Sequence, residues 1–184
     1  MKIFFRTSGG EKKGWGNIYR IITLYKFFEK KIKTKPILIF EGNTKVRDFI
    51  KKHSIEYVHL KSKISISKEL KVLAKLGKPE ILIIEMLNLN KIKQLAYSKY
   101  AKKTVIFDDI LDRSYHCDIL ISCQKQKIFH KKFDKTNVKK FINDYKYFPL
   151  KENIKKYLTN KKIINKEVKK ICISLGGSQY YKAY

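Results

Sequence analysis

Short apolar runs along this chain alternate with segments whose apolar residues recur three and four positions apart. The run Lys2-Ile3-Phe4-Phe5-Arg6 predicts a first buried strand. From Asn17 onward Ile18, Ile21, Ile22 and Tyr25 share one helix face, in a helix that frays near Lys30 to Lys35. Pro36 to Phe40 predicts a second strand, and Gly42-Asn43 a turn. Val46, Phe49 and Ile50 then predict a short helix ending near His53, before a third strand from Tyr57 to Leu60. Ser67 is placed to cap a helix carrying Leu70, Leu73, Ala74 and Leu76, which Gly77 and Pro79 end. Glu80 to Met86 predicts a fourth strand, Asn90 to Ala101 a helix, Thr104 to Phe107 a fifth strand and Asp118 to Ile121 a sixth. The lysine-rich stretch from Lys125 to Lys146 has no clear period and reads as loop with some helix. Leu150 to Leu158 reads as helix, Lys161 to Lys169 as a charged connection, and Ile171 to Leu175 as a last strand followed by Gly176-Gly177-Ser178.

Strands that are apolar throughout, separated by helices, predict an α/β fold: a parallel sheet with helices on both faces. Ligands of such sheets bind at the carboxyl ends of the strands. That edge is expected to carry Glu85, Asp108, Asp109 and the loop from Thr7 to Gly16, with its glycines Gly9, Gly10, Gly14 and Gly16. A strand, a glycine-rich turn and a helix start bring bare N–H groups and the positive end of a helix dipole into one crevice. Asn17 is the expected N-cap, and Arg6 and Arg20 would add full positive charge. The spacing is not that of a P-loop, since no Lys-Ser/Thr follows the last glycine. Nor does it fit the dinucleotide fingerprint, for which only Glu41 would supply the acid. Spacing alone leaves two readings open, an anion crevice and a plain turn.

The net charge of +27 over 184 residues changes this picture little. The arginines are only Arg6, Arg20, Arg47 and Arg113, whereas recognition of bases and phosphates favours arginine forks. The lysines are spread over every segment and travel with Ile, Asn, Tyr and Phe, the residue set of AT-rich codons. No dedicated nucleic-acid partner is expected. No apolar run reaches the ~20 residues of a membrane span, so no transmembrane segment is expected. Cys117, Cys123 and Cys172 lack metal-site spacing and read as reduced thiols of a cytoplasmic protein, with no metal and no cofactor expected.

Four stretches together carry a resemblance: FRTSGGEKKGWGNIYR (Phe5 to Arg20), FDDILDRSYHCDILI (Phe107 to Ile121), YKYFPLKENI (Tyr145 to Ile154) and ISLGGSQYY (Ile173 to Tyr181). In order and spacing they resemble the UDP-2,4-diacetamido-2,4,6-trideoxy-β-L-altropyranose hydrolase family of pseudaminic acid biosynthesis. Spore-coat polysaccharide proteins of the same type are similar, and MurG-like glycosyltransferases more distantly so. The resemblance implies a GT-B architecture with substrate between two Rossmann-like halves. Residues 1–160 would form the N-terminal Rossmann-like domain, and 161–184 a linker and the first strand of a C-terminal domain missing from this chain. That tail is expected to pack poorly in a monomer.

The implied partner is a UDP-sugar, with a separate C-terminal half or self-association completing the cleft. The implied activity is UDP release from a nucleotide sugar; the alternatives are a glycosyltransferase-like protein and an inactive half that only binds. Asn17 stands where the family has its general-base histidine, and an amide does not titrate. The substrate-binding positions carried over are Gly10, Gly14, Gly16, Arg20, Asp109, Gly177 and Ser178, with Gln179 at the family's Asp position. Asp108 and Asp109 either bind sugar hydroxyls or cap the turn that follows them. Arg113 is expected to pair with Asp109 or Asp112, His116 to be a structural histidine, and Cys117 a small core residue.

Overall fold

The computed structural model describes residues 1–10, 13–124 and 132–151, together with positions 154, 157, 167, 168 and 171. Its strands are β1 (Ile3–Ser8), β2 (Ile37–Glu41), β3 (Tyr57–Leu60), β4 (Ile81–Glu85), β5 (Lys103–Phe107), β6 (Ser114–Ser122) and β7 (Asp134–Asn143). The helices are α1 (Gly16–Phe27), extended by a π-helical turn over Phe28–Ile32, α2 (Thr44–Lys51), α3 (Ile66–Ala74) and α4 (Lys91–Tyr100). All seven strands run parallel, in the order β3-β2-β1-β4-β5-β6-β7. This is the Rossmann-like arrangement, an α/β sheet wound outward in both directions from β1 and β4.

The side-chain period of two makes two cores. Ile3 and Phe5 of β1, Leu38 and Phe40 of β2 and Ile83 of β4 face α1 and α2, where they meet Ile18, Ile21, Tyr25, Val46 and Ile50. Phe4, Ile39, Leu82 and Ile84 face the other way, toward Leu73 of α3 and Tyr97 of α4. Each of these apolar side chains contributes roughly 1.5–3 kcal/mol by leaving water. Burial on both sides is why β1, β2 and β4 carry continuous apolar runs rather than alternating ones. Among the described residues no helix is long and apolar enough to cross a membrane.

Several local expectations are corrected. Trp15, not Asn17, is the N-cap of α1, and no side chain caps that helix. The cap of α3 is Ser65, whose hydroxyl accepts from Lys68 N, two residues before the expected Ser67. The stretch expected to be loop with some helix contains β7. As the outer strand of the sheet, β7 exposes lysines to water, and only Val138, Phe141 and Ile142 mark its period. The predicted helix at 150–158 and strand at 171–175 lie largely outside the described residues, as does the packing of 161–184.

The β5–β6 crossover has no helix. From Phe107 the chain runs through residues 108–113 into the first half of β6, which packs on α4. There Gln94 donates to Ser114 O (3.1 Å) and accepts from His116 N (2.7 Å). Pairing with β5 begins only at Ile119, so residues 108–118 together serve as the crossover that parallel strands require. Asp118 fixes the junction: its carboxylate accepts from Thr104 N at 2.9 Å and Lys139 Nζ at 2.8 Å, tying β5, β6 and β7 together.

The close approach of the β1 loop to α1 requires Gly9. A Cβ there would stand 2.5 Å from Ile18 Cγ1, an atom that cannot swing away because Ile18 is fully buried. Gly9→Ala is expected to cost about 1–3 kcal/mol and to push α1 off the loop. Urea unfolding of the variant checks this; an unchanged midpoint would mean the loop gives way freely.

Candidate functional site

The winding of the sheet reverses between β1 and β4, and open α/β sheets bind ligands at the carboxyl ends of the strands flanking that point. At this edge β1 ends in the glycine loop and β4 in Glu85. The loop closes on itself: Gly10 N donates to Gly14 O (2.9 Å) and Lys13 N to Gly10 O (3.0 Å), while Gly9 N donates to Glu41 O (3.2 Å). Gly10, at φ +122°, is buried, so it shapes the loop, and its amide is committed within it. Gly14 and Gly16 differ, with no atom within 4 Å of where a side chain would begin. With no side-chain cap and no acid in its first turn, the start of α1 keeps its positive end uncompensated. Asn17 sits in that first turn and turns its amide back to Ser8 O at 3.5 Å.

One turn further along α1, Arg20 reaches over the strand ends. Its Nη1 lies 3.2 Å from Glu85 Oε1 and its Nη2 donates to Asp109 Oδ2 at 2.7 Å. The other Asp109 oxygen accepts from Cys123 N at 2.6 Å, after β6. The structure thus brings Arg20 and Asp109 together as predicted site residues and adds Glu85 between them. Burial pushes the Glu85 carboxyl up to about 8; Arg20 opposes that rise, and Asp109 and Asp108 reinforce it. The Phe148 ring, from the segment after β7, lies 4.9 Å from the Arg20 guanidinium carbon, and Lys151 Nζ lies 4.9 Å from the Tyr19 ring.

Arg6 does not join this crevice. It points to the opposite face of the sheet, fully buried, and donates to both carboxylate oxygens of Glu69 at 2.7 and 3.1 Å. Glu41, the acid the dinucleotide reading would need, pairs there with Lys13 at 2.8 Å and with Arg6 at 3.5 Å. Its carboxyl is pulled below the usual range by Lys13 and Arg6, against the effect of burial.

The FDDILDRSYHCD stretch divides by role. Asp108 Oδ1 accepts from Ile110 N at 2.9 Å and so caps the turn, whereas Asp109 faces Arg20. Arg113 pairs with Asp112 (2.7 Å) and Asp108 (3.5 Å) rather than Asp109, and donates to Leu87 O at 2.8 Å, pinning the loop after β5 to the loop after β4. Cys117 is a buried core residue. His116 donates its backbone N–H to Gln94 Oε1. Gly177, Ser178 and Gln179 lie outside the described residues.

Sequence reasoning missed Glu69, Gln94, Lys13 and Phe148 as partners, and Thr7 as a neighbour of Glu85. Glu69 and Gln94 had a legible signal. Each lies three or four residues before a buried position of its helix, Leu73 and Tyr97, and so shares the core-facing stripe. The other three are brought in by tertiary contacts that no local pattern marks.

No family model matches the chain. It is 26% identical over 185 residues to MJ1062, an uncharacterized protein of Methanocaldococcus jannaschii, in an alignment that covers 97% of this chain and 37% of that protein. The chain therefore spans little more than a third of the length of this relative.

Proposed function

We propose that this chain handles a nucleotide sugar, in the manner of the UDP-2,4-diacetamido-2,4,6-trideoxyaltropyranose hydrolases it resembles, as the N-terminal half of a GT-B cleft. The observation that carries the reading is the pairing, at the reversal point of the sheet, of an uncapped helix start beside open glycines with the Arg20–Glu85–Asp109 cluster. The first suits a diphosphate, because N–H groups and the helix dipole attract anions. The second suits sugar hydroxyls, because carboxylates and guanidinium offer both acceptors and donors. A C-terminal half would close the cleft. The free, buried thiols of Cys117 and Cys123 support a reducing, cytoplasmic setting.

Asn17 favours binding without turnover. Its amide cannot take up a proton from attacking water, and it is turned toward Ser8 O. Isothermal titration calorimetry with UDP and a UDP-linked diacetamido sugar is expected to give saturable heat, and a coupled assay is expected to detect no UDP release. Absence of heat with both ligands would refute the nucleotide-sugar reading; UDP release by the wild-type chain would refute binding without turnover.

A further inference from the structure

The β1–β4 register sets Thr7 directly opposite Glu85. Both lie two residues beyond Phe5 and Ile83, on the face of the sheet that packs against α1. Thr7 is fully buried and Glu85 is 4% exposed. Three polar atoms on this face, Thr7 Oγ1, Glu85 Oε2 and Arg20 Nε, have no hydrogen-bond partner among the described residues. Buried polar groups are nearly always satisfied, and three on adjoining side chains mark a place built to receive a polar group.

We infer that Thr7, Glu85 and Arg20 form a buried subsite that binds a hydroxyl group of a carbohydrate. The choice of ligand follows from donor and acceptor chemistry. Arg20 Nε–H only donates, and the Thr7 hydroxyl both donates and accepts. Glu85 Oε2 accepts, and burial, by favouring the protonated carboxyl, lets the same group donate. A hydroxyl, itself donor and acceptor, satisfies such a set. A phosphate does not, because the positive charge of Arg20 is already met by Asp109 at 2.7 Å. Asp108 stands nearby as a further negative charge. The inference rests on the nucleotide-sugar reading for the identity of the ligand. It divides the site, with the diphosphate at the open glycines and helix start and a sugar hydroxyl inside, against the strands.

The test is a side-chain NMR titration of the full chain with N-acetylglucosamine and, separately, inorganic phosphate. The sugar is expected to shift the Thr7 methyl and Glu85 carboxyl resonances saturably, while phosphate leaves both unchanged. Thr7→Val keeps shape and removes the hydroxyl, and is expected to weaken the sugar roughly tenfold. Signals unmoved by the sugar, or moved by phosphate alone, would overturn the subsite, as would a Thr7→Val chain that binds the sugar as well as wild type. Calorimetric binding of the UDP-sugar alongside such a result would leave the nucleotide-sugar reading standing. A sugar response in a chain that gives no heat with UDP would keep the subsite and remove the nucleotide.

Discussion

Glu69→Ala is expected to lower the free energy of unfolding by about 3–5 kcal/mol, the usual cost of removing one partner from a buried ion pair. Arg6 and Glu69 are both fully buried and joined by a two-pronged contact, Nε to Oε1 at 2.7 Å and Nη2 to Oε2 at 3.1 Å. Tyr97 donates its hydroxyl to the same Oε1 at 2.6 Å. Removing the carboxylate leaves the guanidinium with Thr7 O and a distant Glu41 at 3.5 Å, and leaves the Tyr97 hydroxyl without its acceptor. Charge accounts for most of the loss, so Arg6→Met combined with Glu69→Leu is expected to recover much of it. Denaturant unfolding of the three proteins measures this. A Glu69→Ala midpoint close to wild type, or a double variant less stable than the single one, would show that the pair is not what holds β1 to α3.

A pH-dependent loss of stability centred on Glu85 is the second large effect expected. Its carboxyl is pushed from the ordinary 4.5 up to about 8, first by burial. The native state therefore keeps a proton that the unfolded chain has released, and stability is fully present below 4.5 and lost as pH rises toward about 8. Glu85→Gln abolishes the titration while keeping the shape. Its melting temperature is expected to vary less with pH across that window and to match or exceed wild type at its upper end. Other groups titrate in both proteins, so the difference between the two thermal profiles isolates Glu85. Parallel profiles would mean that Glu85 is ionised in the fold, paired fully with Arg20.

Legibility in the sequence followed the apolar run of each strand. The tightest matches are at β3, predicted from Tyr57 to Leu60 and found there, and at β1, β2, β4 and β5, displaced by a residue or two. β1, β2 and β4, buried on both faces, must be apolar nearly throughout, which is a strong local signal, and the edge strand β3 was marked by Tyr57, Val58 and Leu60 although His59 is exposed. β7 was hidden because one of its sides is open to water, so its lysines masked the period. Asn17 misled for a different reason. An Asn at a helix start is among the best capping residues, yet α1 begins two residues earlier, Trp15 takes the cap position, and the Asn17 amide turns to Ser8 O. Asp108 and Asp109 are chemically identical in sequence; which one caps the turn and which one faces Arg20 depends on where Cys123 and Ile110 lie.

The amino-acid sequence by itself determined that this chain builds a parallel sheet with helices on both faces, and that a glycine loop joins its first strand to its first helix. Both follow from periodicity and from backbone freedom, which are local. Only the tertiary structure decided where the charges went: Arg6 into the core with Glu69, Arg20 across the strand ends to Glu85 and Asp109, and Thr7 beside Glu85. The partners of a charged side chain are set by strand order and register across tens of residues, and no neighbouring residue reports them.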